Sequence, residues 1–346
     1  MAFIMKKCIL CQESEADKTG SHIVPHFLMK RIDNLDGSKG RDKELGFVIG
    51  KLDTKSYFGR DILPEKLEEI YGEVNDELIE NNNISFIEDY IFCSTCEKNL
   101  GDLESQYSLS LKNYSDYDTK YISVDEEGVG FLFWTSILWR LSISNASGIT
   151  LKPKEEKKLR RILNRYLKDF DLNIIDEDLK NIGYKLLRSP EYKKDKEEAS
   201  TFLHCSPFNN RPYSIMIDEF ILSFYFKTSY LKGMTCTFYG SETLNKIAEY
   251  NTPFTKENIY SVKDVELKEI IQKFVNHGAS IRMNKYAEIL DELHIKLGGK
   301  GKMNPVLKQK ILINILSSKE PSGVKYTLEN VKKVIVQTMM AENNKG

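Results

Sequence analysis

Two Cys-x-x-Cys pairs constrain the fold of this chain more than any other sequence feature. They are Cys8 with Cys11 and Cys93 with Cys96. Four thiolates close a tetrahedral structural zinc site, and a two-residue gap lets both sulfurs of a pair face one ion. The two pairs are far apart in the sequence, so the segment between them must leave the site and return. We therefore expect one shared zinc site with a long insertion.

The alternative is that the two cysteine pairs are unrelated and that one of them is redox-active. A thioredoxin-like pair opens a helix after a buried strand within a βαβ unit. Cys8 lies too close to the start of the chain for such a strand to precede it. Structural zinc is therefore the favoured interpretation.

Length and composition indicate a globular protein of more than one domain. The chain has 346 residues and a formal net charge of −1, so no global basic field attracts it to nucleic acid. Six cysteines in a chain of this length do not make a disulfide scaffold. No apolar run resembles a signal peptide or reaches the length that spans a membrane. We expect a cytoplasmic protein with reduced thiols and no membrane partner.

Hydrophobic periodicity predicts the elements around the cysteine pairs. Residues 63–79 have apolar side chains at helical spacing, and short strands are expected at 47–52 and 56–58. Residues 84–92 favour a strand that runs into the second pair, followed by a helix over 96–108. The stretch 131–141 is apolar almost all round, which is typical of a buried helix, so Trp134 and Trp139 are expected in the core.

A basic helix is predicted over residues 152–168, where eight Lys or Arg residues stand against Glu155 and Glu156. Such a helix can neutralise phosphates and would make binding depend on salt. A solvated helix face is the alternative explanation of the same charges. The residues that we expect to bind nucleic acid are Lys157, Lys158, Arg160, Arg161 and Arg165.

The remainder of the chain favours a mixed α+β fold. We expect a helix over 177–187 and helices over 262–274, 284–297, 305–316 and 328–340. Strands rich in aromatic and branched residues are expected at 213–217, 220–226 and 234–239. His204, Cys205 and Cys236 fall near or in such strands, where cysteine is usually a small buried residue rather than a metal ligand.

Together these patterns predict three parts. Residues 1–125 form a zinc domain with a long insertion, residues 126–250 an α+β domain, and residues 251–346 a helical region. The predicted class is α+β, with a mostly helical region and an antiparallel β segment after the zinc domain.

A histidine near the first cysteine pair suggests what the zinc domain does. The sequence reads Ser-His-Ile-Val-Pro-His-Phe from Ser21, and Glu97 directly follows the second pair. In this order of motifs the chain resembles HNH-type (ββα-metal) nucleases built on a treble-clef zinc core, and more closely a group of little-characterised bacterial HNH-related proteins. Those proteins also carry a Trp-Arg pair on a downstream apolar helix, as Trp139 and Arg140 do here. The matching residues of the zinc domain are Cys8, Cys11, His22, Ile23, Pro25, Cys93, Cys96 and Glu97.

The resemblance implies a metal-dependent endonuclease that hydrolyses DNA, with a possible role in bacterial antiviral defence. His22 would take a proton from the attacking water, and Glu97 would bind Mg²⁺ or Mn²⁺ through oxygen. A divalent ion there stabilises charge on the phosphate and the leaving oxygen. The near-neutral net charge suggests that the nuclease needs a regulatory protein partner or a trigger to engage DNA. A further alternative is a toxin- or regulator-like protein whose carboxy-terminal helices form a homo-oligomer.

The sequence also departs from the family pattern. Ser21 stands where an acidic residue usually precedes the histidine, and Glu88 and Asp89 replace the expected asparagine before the second pair. His26 is expected at the surface, and Glu104 can share a helix face with Glu97. These departures leave open an alternative function, a non-catalytic zinc-binding module that binds nucleic acid or a partner protein.

Overall fold

A computed structural model describes much of the chain, and all structural statements refer to that part. The described residues are 6–29, 45–49, 54–58, 67–68, 87–112, 118–144, 149–190, 203–205, 211–231, 242–317 and 328–343.

The chain divides into two compact units. One consists of Met1–Leu35 with Ser85–Ile271, and the other of Asp36–Ile84 with Gln272–Gly346. The three-part division expected from the sequence stays a prediction.

The fold of the first unit is mixed α+β around a six-stranded sheet. Its strands are β5 (Thr119–Val124), β6 (Gly183–Arg188), β7 (Leu203–Cys205), β8 (Tyr213–Ile217), β9 (Phe220–Tyr225) and β10 (Glu257–Ser261). They are ordered β5-β10-β6-β9-β8-β7. The neighbours pair antiparallel, as expected for 213–217 and 220–226, except that β10 and β6 are parallel.

Apolar side chains cover both faces of this sheet. Along β8, Ile215 and Ile217 belong to one buried cluster and Met216 to another. Successive side chains of a strand point to opposite faces, so the two clusters lie on the two faces. An alternating apolar and polar pattern is absent here because neither face meets water.

The sequence-based helix over 177–187 is wrong. The structure has a short 3-10 turn at Glu177–Leu179 and then strand β6. Ile182, Tyr184 and Leu186 are buried at a spacing of two, which is the strand period. Gly183 lets strand β6 lie close to the backbone at Asn251. A Cβ at residue 183 would lie 2.1 Å from the Asn251 carbonyl oxygen.

Three long helices of the first unit match their sequence-based expectations. They are α2 (Ser94–Ser110), α3 (Val129–Ile143) and α4 (Pro153–Lys168), and a short α1 spans His26–Met29. Helix α3 is buried on every side from residue 129 to residue 141. Trp134 and Trp139 are both fully buried, as predicted, so they serve as core residues. A short helix α5 (Glu242–Ile247) and the start of α6 pack on the other side of the sheet.

The region expected to be helical from residue 251 first contains strand β10, and the described chain is then helical from Asp264 on, with one further difference. The two stretches expected as separate helices over 262–274 and 284–297 form a single helix α6, Asp264–Lys296. The residues that join them contain no proline and one glycine, so nothing there ends a helix.

The second unit has a small helical core of its own. Helices α7 (Pro305–Ser317) and α8 (Leu328–Asn343) pack with the later part of α6 around Tyr286, Leu290 and Ile311. This unit also contains the hairpin of β2 (Leu45–Ile49) and β3 (Thr54–Phe58), near the two short strands expected there.

Some expectations fall on residues outside the described ranges. These are the strand over 234–239 with Cys236, and the helix over 63–79 apart from residues 67 and 68. Within the described chain, no helix combines the length and the apolar character needed to cross a membrane.

Candidate metal centre

The first cysteine pair lies in a tight turn that is closed by backbone hydrogen bonds. The amide of Gln12 donates to the Cys8 carbonyl oxygen at 2.8 Å, and the amide of Cys8 donates to the Ser14 carbonyl oxygen at 2.8 Å. Gln12 adopts a φ of 63°, in the left-handed region that such a turn requires. The turn thus fixes Cys8 and Cys11 on the same side.

The second pair opens helix α2. Cys93 is the N-cap residue, and Cys96 lies in the first turn. Asp17, just after the first pair, accepts hydrogen bonds from both the amide and the hydroxyl of Ser94 at 2.7 Å. These bonds lower the pKa of Asp17 and satisfy an amide that the helix leaves unpaired. Asp17 therefore ties the first-pair segment to the helix that carries the second pair.

The structure brings all four cysteine sulfurs together. Their Sγ atoms lie within 4.8 Å of one another, and those of Cys11 and Cys93 are 3.9 Å apart. In a tetrahedral Zn–S₄ site with Zn–S bonds of about 2.3 Å, sulfurs stand roughly 3.8 Å apart. All four cysteines are reduced, and Cys8, Cys93 and Cys96 are buried. The cluster could therefore hold a metal such as zinc.

The close approach of the thiols perturbs the pKa values of three of them, Cys8, Cys93 and Cys96. A hydrogen bond from the Cys96 thiol lowers the pKa of Cys8 to about 4. The same contact, followed by burial, raises the pKa of Cys96, and burial raises that of Cys93. One thiolate thus suppresses its neighbours, whereas a divalent cation would stabilise all four in the ionised form.

His22 and Glu97 lie on adjoining elements beside this cluster. Strand β1 (Ser21–His22) pairs antiparallel with β4 (Ile87–Glu88), so Ser21 faces Glu88 and His22 faces Ile87. Ser21 is buried, and its hydroxyl donates to Oε2 of Glu97 at 3.0 Å. Burial raises the pKa of Glu97, while the hydrogen bond from Ser21 acts in the opposite direction.

Two other polar residues hold the strand that carries His22. The amide of Gly20 donates to Oδ1 of Asp89 at 2.6 Å, across the β1–β4 ladder. Nη1 of Arg140, on α3, donates to the His22 carbonyl oxygen at 2.9 Å and to Oε1 of Glu104 at 2.6 Å. Glu88 thus lies in the ladder with β1, and Asp89 directly follows it.

Three other histidines and cysteines considered above lie on described elements of the backbone. Residue 26 belongs to helix α1, and residues 204 and 205 belong to strand β7. The side chains of His26, His204 and Cys205 lie outside the described part. Among the described side chains, the ligand atoms of the four cysteines converge on one point. His22 and Glu97 belong to no described group of three or more His, Cys, Asp or Glu residues that converges in this way.

The basic helix α4 packs beside the first cysteine pair, and the five predicted nucleic-acid contacts differ in their surroundings. Arg160 donates from Nη1 to the Leu10 carbonyl oxygen at 2.8 Å. Lys158 pairs with Asp178 at 3.8 Å, and Arg165 pairs with Asp176 at 3.0 Å. Lys157 and Arg161 are exposed. Arg160 therefore supports the turn of the metal centre, and of the five predicted contacts Lys157, Arg161 and Arg165 are exposed.

Sequence reasoning missed the parts played by Asp17 and Arg140. No local pattern connects Asp17 with Ser94. Arg140 did leave a signal, because it is the only charged residue in the apolar helix α3. A charged side chain in such a helix requires a partner, and here that partner is the partly exposed Glu104.

No protein-family model, curated protein or solved structure matches this chain. Any functional assignment therefore rests on the geometry of the site.

Proposed function

We propose that this protein is a metal-dependent endonuclease of the HNH type that hydrolyses DNA phosphodiester bonds. The observation that carries the proposal is the hydrogen bond between Ser21 and Glu97. It joins the residue before His22 to the residue after Cys96, so the two stretches of the sequence motif meet at one place. A cysteine turn, a short ladder and a helix that opens on the last two cysteines are also the order of a treble-clef zinc core.

Each residue has a chemical role in the proposed reaction. His22 would accept the proton of a water molecule as its oxygen attacks phosphorus and the bond from phosphorus to the leaving oxygen breaks. Glu97 would bind a Mg²⁺ or Mn²⁺ ion, which supplies positive charge for the phosphate and the leaving oxygen. The four cysteines would hold zinc as a structural ion, because closed four-cysteine sites leave no position for substrate.

DNA binding would use a local patch rather than the field of the whole chain. The net charge of −1 provides no general attraction. Lys157 and Arg161 are exposed on helix α4, whose Arg160 contacts the first cysteine turn. The exposed pair would contact phosphates next to the metal centre and make binding weaker at high salt.

Plasmid cleavage with Mg²⁺ or Mn²⁺ tests the proposal. His22→Ala and Glu97→Gln are expected to lose about 100-fold or more of the wild-type rate, since a general base contributes about 10²–10⁴-fold. His294→Ala is the matched control, because His294 lies against Gly299 in the second unit. All three variants should keep their zinc. Cleavage by His22→Ala at the wild-type rate would remove His22 from the mechanism.

A non-catalytic zinc-binding module is the second candidate, and one observation favours it. Ser21 is a weaker metal ligand than a carboxylate, and its hydroxyl already occupies one oxygen of Glu97. This function predicts salt-dependent DNA binding, measured by fluorescence anisotropy, without cleavage in either metal. The double variant Lys157→Gln, Arg161→Gln tests this function in the zinc-loaded chain. If the wild type never cleaves and the double variant binds DNA more weakly, the result supports the module over the enzyme.

A further inference from the structure

We infer that Arg140 is a positioning residue for the proposed site, holding the backbone at His22 while Glu104 neutralises its charge. This inference rests on the proposed function. It assigns a task to a buried ion pair that the proposed reaction does not otherwise use.

The guanidinium of Arg140 is bonded in several directions. Its side chain is 2 % exposed, and that of Glu104 is 21 % exposed. Besides the bonds from Nη1 to His22 and Glu104, Nε donates to the Ser136 carbonyl oxygen at 3.4 Å and Nη2 to the Ser136 hydroxyl at 3.3 Å. A planar, always-charged group with several donors can make such bonds together, whereas a lysine ammonium cannot reproduce their geometry.

The strand that carries His22 needs this support. Strand β1 is two residues long, and its ladder with β4 consists of the pairs Ser21–Glu88 and His22–Ile87. Arg140 adds an attachment from α3, a helix buried on every side. The bond acts on the main chain of His22, so it sets the position from which the imidazole extends.

Glu104 links the same arginine to the helix that carries Glu97. Both glutamates are on α2, seven residues apart, which places them on one face of the helix. Arg140 therefore connects the strand of the proposed base to the helix of the proposed ligand. Weakening the contacts of Arg140 should misplace His22 and Glu97 relative to each other while both side chains remain present.

A second buried arginine pair provides a matched control. Arg188 and Glu219 have side chains 6 % and 5 % exposed, with Nη2 2.7 Å from the carboxylate. Nη1 of Arg188 also donates to a backbone carbonyl oxygen, that of Lys112, at 3.1 Å. Both arginines thus combine a carboxylate partner with a backbone carbonyl, although Glu219 is more deeply buried than Glu104, and Arg188 makes these contacts with Glu219 and Lys112 rather than with the proposed site.

The experiment compares Arg140→Lys and Glu104→Gln with Arg188→Lys in the zinc-loaded full chain. Plasmid cleavage gives kcat and KM, and hydrogen exchange measured by mass spectrometry follows the peptide that contains β1. Arg140→Lys should lower kcat about 10- to 100-fold, because misplacement by about 1 Å can cost that much, with KM for DNA little changed. Exchange in the β1 peptide should rise. Glu104→Gln should do the same more weakly, and Arg188→Lys should leave both readouts near wild type.

The outcomes separate the two proposals. If the wild type cleaves DNA and kcat is unchanged in both Arg140→Lys and Glu104→Gln, the positioning role is wrong. The proposed nuclease function would be unaffected by that result. An equal loss of kcat in Arg188→Lys would overturn the positioning role too, since the effect would then be general destabilisation. If Arg140→Lys does not fold, Glu104→Gln decides alone, because its side chain is partly exposed. A wild type that binds zinc and DNA but never cleaves would overturn the proposed function, and this inference with it.

Discussion

Replacing Gly130 by alanine is expected to lower the free energy of unfolding, because even one methyl group does not fit there. Gly130 lies in the first turn of the buried helix α3, where a Cβ would stand 2.6 Å from Oε2 of Glu257 and 2.7 Å from the Tyr184 hydroxyl. Glu257 is a fully buried carboxylate, and four hydroxyl and indole groups donate to it. These donors are Tyr107 at 2.9 Å, Ser123 at 2.7 Å, Trp134 at 3.0 Å and Tyr184 at 2.6 Å.

Opposing contributions decide whether Gly130→Ala raises or lowers the free energy of unfolding. In an open helix position, replacing glycine by alanine stabilises by about 1 kcal/mol. Here the methyl group must displace Glu257 or Tyr184, and overpacking of this kind costs about 1–3 kcal/mol. Weakening one hydrogen bond to this buried carboxyl group adds about 1–3 kcal/mol. We therefore expect a net loss of roughly 1–5 kcal/mol.

Gly101→Ala provides the control, because Gly101 is also helical and a Cβ there would meet nothing within 4 Å. It should stabilise the protein by up to about 1 kcal/mol. Urea unfolding followed by tryptophan fluorescence reports on the first unit, since both tryptophans of the chain lie in α3. Equal or greater stability of Gly130→Ala than of wild type would refute the close packing around Glu257.

Two further predictions concern the metal centre and the second unit. Cys93→Ser should lose bound zinc and several kcal/mol of unfolding free energy, because structural zinc contributes folding energy directly; unchanged zinc content and melting temperature would argue against a shared site. Asp291 accepts a hydrogen bond from the Met303 amide and pairs with Lys308 at 2.5 Å, and the Lys308 contact lowers its pKa. Its stabilising effect should be present above pH about 4 and lost as pH falls through the lowered folded-state pKa. Asp291→Asn should remove this part of the acid dependence in thermal unfolding between pH 7 and 3, and an unaltered acid profile would show that the pair contributes nothing.

Local patterns were sufficient where covalent spacing decides the structure. The two-residue gap within each cysteine pair predicted sulfurs that face one point, and the four Sγ atoms converge. The run of apolar residues over 131–141 predicted a buried helix, and helix α3 contains that run within Val129–Ile143. Both signals work because a turn or a helix fixes the relative positions of residues that are close in sequence.

Local patterns failed where two periods fit the same residues. Over 177–187 the apolar residues satisfied a helical spacing, but Ile182, Tyr184 and Leu186 also alternate, and the sheet selected the strand. Burial on both faces of β6 and its pairing with β9 and β10 are tertiary facts that no window of sequence contains. In α6, by contrast, the error was to assume a break between two helices where the sequence has no residue that ends one.

The sequence by itself determined which residues could form the metal centre and the proposed site, since residue type and local spacing set their chemistry. Only the tertiary structure decided the partners: Ser21 with Glu97, Asp17 with Ser94, and Arg140 with both His22 and Glu104. These contacts join residues far apart in the chain. Their geometry depends on how helices and strands pack, and packing is a property of the whole core rather than of any segment.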